Sequence, residues 1–207
     1  MGTIFYLIGK SATGKDTIYK LLLQNPQLSL KPVILYTTRP IREGETNGIE
    51  YYFTDLNELK KLRIQNKIIE ERTYHTVLGN WNYFTVNDTQ FTSSSPLLMI
   101  GTLESFQAIQ KYFGKKQVIP IYIEVEDGIR LERALIRERS QNKPNYEEMC
   151  RRFLADQKDF SEEKLKEARI NNRFQNIDLN TCINQICLLI KSYSTISAFS
   201  DTPYSKH

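Results

Sequence analysis

The strongest constraint on this chain lies between residues 3 and 24. The run "TIFYLI" (3–8) has the β-branched and aromatic content of a buried strand, and "DTIYKLLLQ" (16–24) has helical spacing, with Ile18, Leu21 and Leu22 on one face. Between them stand Gly9, Lys10, Ser11, Ala12, Thr13, Gly14 and Lys15, a G-x-x-x-x-G-K string. A strand that feeds such a loop into a helix directs loop N–H groups and a helix N-terminus at one point, which is the arrangement that holds phosphate oxygens. The predicted nucleotide loop runs from Gly9 through Asp16 and Thr17. Lys15 would reach the β- and γ-phosphates as a point charge, with Ser11 and Thr13 adding hydroxyls. Where such loops carry the Ser or Thr that ligates Mg²⁺, this chain has Asp16, and the nearest helix hydroxyl is Thr17. The candidate metal ligand is Asp16 or Thr17, while an acid in the first turn is also what the helix dipole favours without any metal.

Strands and helices alternate downstream, which predicts an α/β fold with a mainly parallel sheet. "KPVILYTT" reads as the second strand, "LLMI" (97–100) as another followed by the helix "TLESFQAIQKYF", and "VIPIYIEV" (118–125) as a further strand before a helix from 127 to about 139. Residues 146–160 and 179–193 read as helices. Residues 37–95 break the pattern with a Gly- and Glu-containing loop, short strands "EYYF" and "IIEERTY", and the helix "LNELKKLRIQN". The expected organisation is one domain: a core of 1–36 and 96–194, an inserted small antiparallel subdomain at 37–95, a lid at about 127–155, and a frayed tail at 195–207.

Composition limits the function classes. No stretch approaches the roughly 18 apolar residues that span a bilayer, and the short N-terminal apolar run has no basic flank, so the chain reads as a cytoplasmic protein without membrane association. Three cysteines without C-x-x-C spacing and two histidines support neither a disulfide framework nor a zinc site. A formal charge of +4 over 207 residues suits small anionic ligands better than nucleic acid.

The most specific stretch is "YTTRPIREGETNGIEYYF" (36–53). Arg39 and Arg42 sit three apart in a glycine-containing loop, where two guanidinium forks can converge on one phosphate, and Tyr51 offers a hydroxyl to the same anion. The stretch closely resembles the acceptor-binding signature of guanylate kinases, and the resemblance runs from Gly9 to the helix near Phe160. It implies a P-loop kinase with a three-layer core, an acceptor-binding insert and a helical lid. It also implies transfer of the ATP γ-phosphoryl to GMP with Mg²⁺, in purine nucleotide metabolism, by a monomer or homodimer. In that family the residues matching Arg39, Arg42 and Tyr51 contact the acceptor phosphate. "NKIIEERTY" matches the segment whose glutamate faces guanine, with Glu70 aligned and Glu71 competing. "GNWNYFTV" resembles the turn that puts a tyrosine on phosphate and a hydroxyl near the base, here Tyr83 and Thr85. Arg133, Arg137 and Arg152 match the arginines that embrace the transferred group, while Glu-interleaved arginines on helices are also what a solvated face looks like. Asn171 or Asn172 is the candidate for adenine.

Three departures from the family pattern stand out. Leu35 and Tyr36 replace serines before T-T-R. The strand that ends D-x-D in the family ends here with Gly101 and Thr102. Asp16 follows the loop lysine, and one reading has it substitute for the carboxylate absent at Gly101. The ribose bisphosphate phosphokinases share the fold and the G-K-D loop, so a sugar phosphate or another nucleoside monophosphate is an alternative acceptor. A non-catalytic guanylate kinase-like binding module is a third reading, although such modules tend to lose the loop lysine and lid arginines kept here.

Overall fold

The computed structural model describes residues 1–76 and 79–200. Strand β1 (Ile4–Ile8) is buried along its whole length. Ile4, Tyr6 and Ile8 join one apolar cluster and Phe5 and Leu7 a second on the opposite face, the alternation expected of a strand covered on both sides. After β1 come α1 (Lys15–Gln24), β2 (Lys31–Pro32), β3 (Tyr36–Thr37) and β4 (Tyr52–Phe53). Helix α2 (Leu56–Ile64), β5 (Ile68–Thr76) and β6 (Gly79–Val86) follow, then β7 (Leu97–Gly101), α3 (Leu103–Phe113) and β8 (Val118–Glu124). The chain continues through α4 (Asp127–Arg139), α5 (Tyr146–Asp159), α6 (Glu162–Glu167), β9 (Arg173–Gln175) and α7 (Leu179–Ser200).

The core sheet has the order β2-β7-β1-β8-β9, and its pairs are parallel. Helix α1 places Ile18 and Leu22 against one face beside Cys182, Ile186 and Ile190 of α7. Phe106 and Ile109 of α3 and Leu165 of α6 cover the other face, which completes three layers. Burying a side chain such as Ile18 or Leu22 contributes ~2 kcal/mol, so each helix is held mainly by its apolar face. Chain connections leave β1 toward β2 on one side while β8 lies on the other, so the loop after β1 opens at the carboxyl edge where the strand order switches.

A second sheet, β4-β3-β6-β5, holds the inserted subdomain. "KPVILYTT" is not one strand. Val33 still donates to Leu98 in the core ladder, but the Ile34 amide goes to the Gln90 side chain at 2.7 Å and the Leu35 carbonyl accepts from Tyr52, so the chain passes from one sheet into the other. Nor is the insert purely antiparallel, because β3 and β4 pair parallel. "GNWNYFTV", expected as a turn, is strand β6 and pairs with both β3 and β5. Helix α7 runs to Ser200, past Thr195 where a frayed tail was expected, since the sequence has no Pro or Gly between Leu179 and Pro203 to stop it. The rest of the expected tail, 201–207, lies outside the described residues.

Candidate active site

Glycine is required twice in the loop after β1. A Cβ on Gly9 would lie 2.7 Å from the Ile123 carbonyl oxygen, and one on Gly14, which has φ +83°, would lie 2.6 Å from Asn176 Nδ2. Ala12 also adopts a left-handed backbone, φ 61°. The loop is fastened from outside. Asn176 Nδ2 donates to the Thr13 carbonyl at 2.8 Å, the Ser11 amide donates to Asp156 at 2.7 Å, and Lys10 Nζ donates to Gln157 at 2.7 Å. Buried Arg130 donates to the Ser11 carbonyl at 3.1 Å and pairs with Asp127 and Asp156. Lys15, Asp16 and Thr17 have no side-chain hydrogen bond or ion pair among the described residues, so the loop lysine is uncommitted.

Beside this loop lies a cavity of about 340 Å³ lined by Ser11, Arg42, Arg130, Arg137, Glu148 and Arg152 among others. Three arginines expected from the sequence thus share one space: Arg42 from the loop after β3, Arg137 from α4 and Arg152 from α5. Arg152 is held by Glu148 at 2.7 Å, whose carboxyl is pulled down to about 2 by hydrogen bonds from Arg151 and then Arg152. Arg133 does not line it. Its guanidinium donates to the Asn176 carbonyl at 3.2 Å, at the back of the phosphate loop. The asparagine that meets the loop is therefore Asn176. Asn172, expected near adenine, instead braces β8 through the Pro120 carbonyl.

A second cluster forms where β3, β4 and β6 meet. Arg39, only 3% exposed, donates to both Glu45 oxygens at 2.9 and 2.8 Å and to the Tyr83 hydroxyl at 3.1 Å. Glu45 also accepts from the Arg42 amide at 2.8 Å, so one carboxylate sets the relation of the two arginines. The Arg39 hydrogen bond holds the Glu45 carboxyl below the usual carboxylate range. Tyr51 packs edge-on to Tyr83 and under Arg39, and burial raises its hydroxyl pKa.

Of the two adjacent glutamates, Glu70 faces inward. It accepts from Thr85 at 2.7 Å and from Arg72 at 2.9 Å, whereas Glu71 lies on the other face of β5, where it pairs with Arg63 and accepts from Asn82. At the end of β7 a Cβ on Gly101 would meet the Tyr6 hydroxyl at 2.4 Å and Ser105 Oγ at 2.6 Å, so those two hydroxyls occupy the room a side chain would need.

The family model for guanylate kinase matches residues 1–192. The chain belongs to the guanylate kinase family. It is 29% identical over 174 residues to the guanylate kinase of Mycoplasmopsis pulmonis, covering 82% of this chain and 86% of that one. It is 34% identical over 129 residues to that of Mesomycoplasma hyopneumoniae (strain 7448), covering 59% of this chain. That match spans 64% of the relative's length. The crystal structure of guanylate kinase from Anaplasma phagocytophilum shares the fold, with a TM-score of 0.59 at 20% identity over 92% of this chain and 85% of that chain.

Sequence reasoning misses several residues that build the site in this guanylate kinase family member. Arg130 lies within a run of charged helix positions and looks solvated, although it is 1% exposed. Its spacing of three from Asp127 was the available signal. Asn176 and Asp156 act through contacts across more than 140 residues of chain, and no local pattern marks them. Arg72 is invisible as a partner of Glu70 until strand parity is known.

Proposed function

We propose that this protein transfers the γ-phosphoryl group of ATP to GMP, giving ADP and GDP. The observation that carries the reading is the cavity that Ser11 of the glycine loop shares with Arg42, Arg137 and Arg152, with Arg42 tied through Glu45 to the Arg39–Tyr83 cluster. The acceptor phosphate is itself the nucleophile, so the protein's task is to position two anionic groups and neutralise the charge that develops between them. In this reading Gly9 to Thr17 hold the ATP phosphates, Arg39, Arg42, Tyr51 and Tyr83 hold the acceptor phosphate, and Glu70 with Thr85 faces the base. Arg137 and Arg152 reach the transferred group from α4 and α5, while Arg133 supports the loop through Asn176. Closure of α4 and α5 over both substrates would exclude water and suppress ATP hydrolysis.

Mg²⁺ accompanies ATP in this proposal. Among the described residues no group of three or more His, Cys, Asp or Glu side chains could hold a metal alone. The exposed Asp16 carboxylate and Thr17 hydroxyl beside Lys15 are hard oxygen donors, which suits an ion that takes one or two protein ligands and completes its shell with phosphates and water. When bound, the ion would offset phosphate charge. The site's own residues hold and orient the two nucleotides. The proposed setting is the cytoplasm, with small nucleotides as the partners.

The crowding at Gly101 favours one alternative, because the Tyr6 and Ser105 hydroxyls fill the room that a carboxylate at this position would need. That alternative is a different nucleoside monophosphate or ribose bisphosphate as acceptor. A coupled ADP-release assay with MgATP against GMP, dGMP, AMP, CMP, UMP and ribose bisphosphate tests both. GMP is expected to give the highest kcat/KM, and a non-guanine winner would overturn the acceptor assignment.

A further inference from the structure

We infer that Arg72 is a specificity-determining residue that donates to the 6-oxo group of a guanine base whose N1–H and 2-amino group are accepted by Glu70. The inference rests on the acceptor proposed above and adds a role for a residue that proposal leaves unused. Glu70 and Arg72 lie two apart on β5, opposite Thr85 and Tyr83 of β6, so the four side chains share one face. Glu70 and Arg72 side chains are 3% and 10% exposed. A buried ion pair is seldom worth more to stability than apolar residues of the same size, so its place opposite Tyr83, which accepts from Arg39, asks for another use.

The hydrogen-bond capacity left over describes that use. Arg72 Nε donates to Glu70 Oε2 at 2.9 Å and its second terminal nitrogen reaches Oε1 only at 3.4 Å. The other terminal nitrogen reaches Thr102 Oγ1 only at 3.5 Å, at the limit of a hydrogen bond. A guanidinium carries five N–H donors, so most of its outer fork is free for a ligand. Glu70 accepts from Thr85 at 2.7 Å and from Arg72 at 2.9 and 3.4 Å, so of its roughly four lone-pair sites one is open, and a ligand donor that displaces the long 3.4 Å contact finds a second. The guanidinium lies beside Thr102, which caps α3, and Arg72 is paired across the sheet with Tyr83 of the Arg39 cluster.

Side by side, the pair offers one donor and two acceptors, the order that cytosine presents to guanine. Guanine answers with an acceptor at O6 and donors at N1 and the 2-amino group. Adenine presents an amino donor to Arg72 and a bare acceptor nitrogen to Glu70, so both contacts become repulsive. Donation from Arg72 also suits a pocket in which Gly101 leaves no room for a second carboxylate.

The test compares GMP with 6-thio-GMP, which keeps N1–H and the 2-amino group but replaces the oxygen with a weakly accepting sulfur. The wild-type enzyme is expected to favour GMP in kcat/KM by about tenfold or more, chiefly through KM, as for loss of a charged hydrogen bond. In Arg72→Gln and Arg72→Lys that ratio should fall to about threefold or less. The lysine variant keeps a buried positive charge beside Glu70, so it carries the test if the glutamine variant does not fold. If Arg72 only braces Glu70, both substrates weaken equally and the ratio stays at its wild-type value, which would overturn the inference. A wild-type enzyme that does not discriminate would overturn it too. Wild-type turnover of GMP with an unmoved ratio leaves the acceptor assignment standing, whereas turnover of neither guanine nucleotide removes that assignment and the role of Arg72 together.

Discussion

Removal of Glu45 should expose how much of the loop that carries Arg39 and Arg42 depends on one carboxylate. Glu45→Ala deletes two hydrogen bonds to Arg39 and one to the Arg42 amide. Among the described residues it leaves the Arg39 guanidinium, 3% exposed, with the Tyr83 hydroxyl and the Pro40 carbonyl as hydrogen-bond acceptors beside the Tyr51 and Phe53 rings. Breaking a buried pair from one side costs about 3–5 kcal/mol, because the surviving charge stays desolvated. The Glu45 side chain is itself 18% exposed, so water can partly replace it. We therefore take the lower end, ~3 kcal/mol, which for a chain of this size lowers Tm by roughly 6–12 °C. Thermal unfolding followed by circular dichroism measures this directly. Phosphate or GMP should raise the Tm of the variant more than that of the wild type, since an anion re-pairs the stranded guanidinium. A variant that melts within about 2 °C of the wild type would refute the reasoning, because ordinary surface changes have effects of that size.

Acidification probes the same pair with the opposite sign of experiment. Glu45 has a depressed pKa in the folded state, so its contribution is complete above the ordinary glutamate range and is lost as pH falls through the folded value. Below about pH 4.3 the Tm of the wild type should drop more steeply than that of Glu45→Gln, and parallel curves would contradict the pairing. Gly14→Ala combines a left-handed backbone with a Cβ placed 2.6 Å from Asn176 Nδ2, so the Asn176–Thr13 tie should break and the KM for ATP rise by about tenfold or more, measured by initial rates. Asp16→Asn should weaken turnover and shift its Mg²⁺ dependence if Asp16 orients the metal, and unchanged Mg²⁺ titrations would assign it to the helix dipole alone. Of the three cysteines only Cys150 is exposed, and burial raises the Cys182 thiol to about 11, so a thiol-titrating reagent should label one site in the native protein and three in denaturant.

Legibility followed the range of the interactions involved. The strand, glycine loop and helix from residue 3 to 24 could be read because each depends on neighbours within a few residues, and α4 spans the predicted 127–139 for the same reason. "KPVILYTT" could not be divided in advance. What splits it is the Gln90 side chain and the Tyr52 amide, both distant in sequence, taking groups that a single ladder would have used. Glu70 and Glu71 were equivalent on paper because a one-residue change of register exchanges the two faces of a strand. The irregularity of β5 between Ile68 and Glu70 decides which one points inward. Arg133 and Arg137 looked alike on their helix, and only the position of β9 gives the first to Asn176 and leaves the second in the cavity.

By itself, then, the sequence determined a glycine loop between a buried strand and a helix, a stretch rich in arginine and glycine, and the family to which both point. Local backbone demands and motif spacing carry that information within short windows. The tertiary structure alone decided that Glu45 spaces Arg39 and Arg42, that Asn176 and Asp156 fasten the loop, and that Arg72 sits beside Glu70. Each of these depends on burial, where a charge or polar group must find its partner in space rather than along the chain.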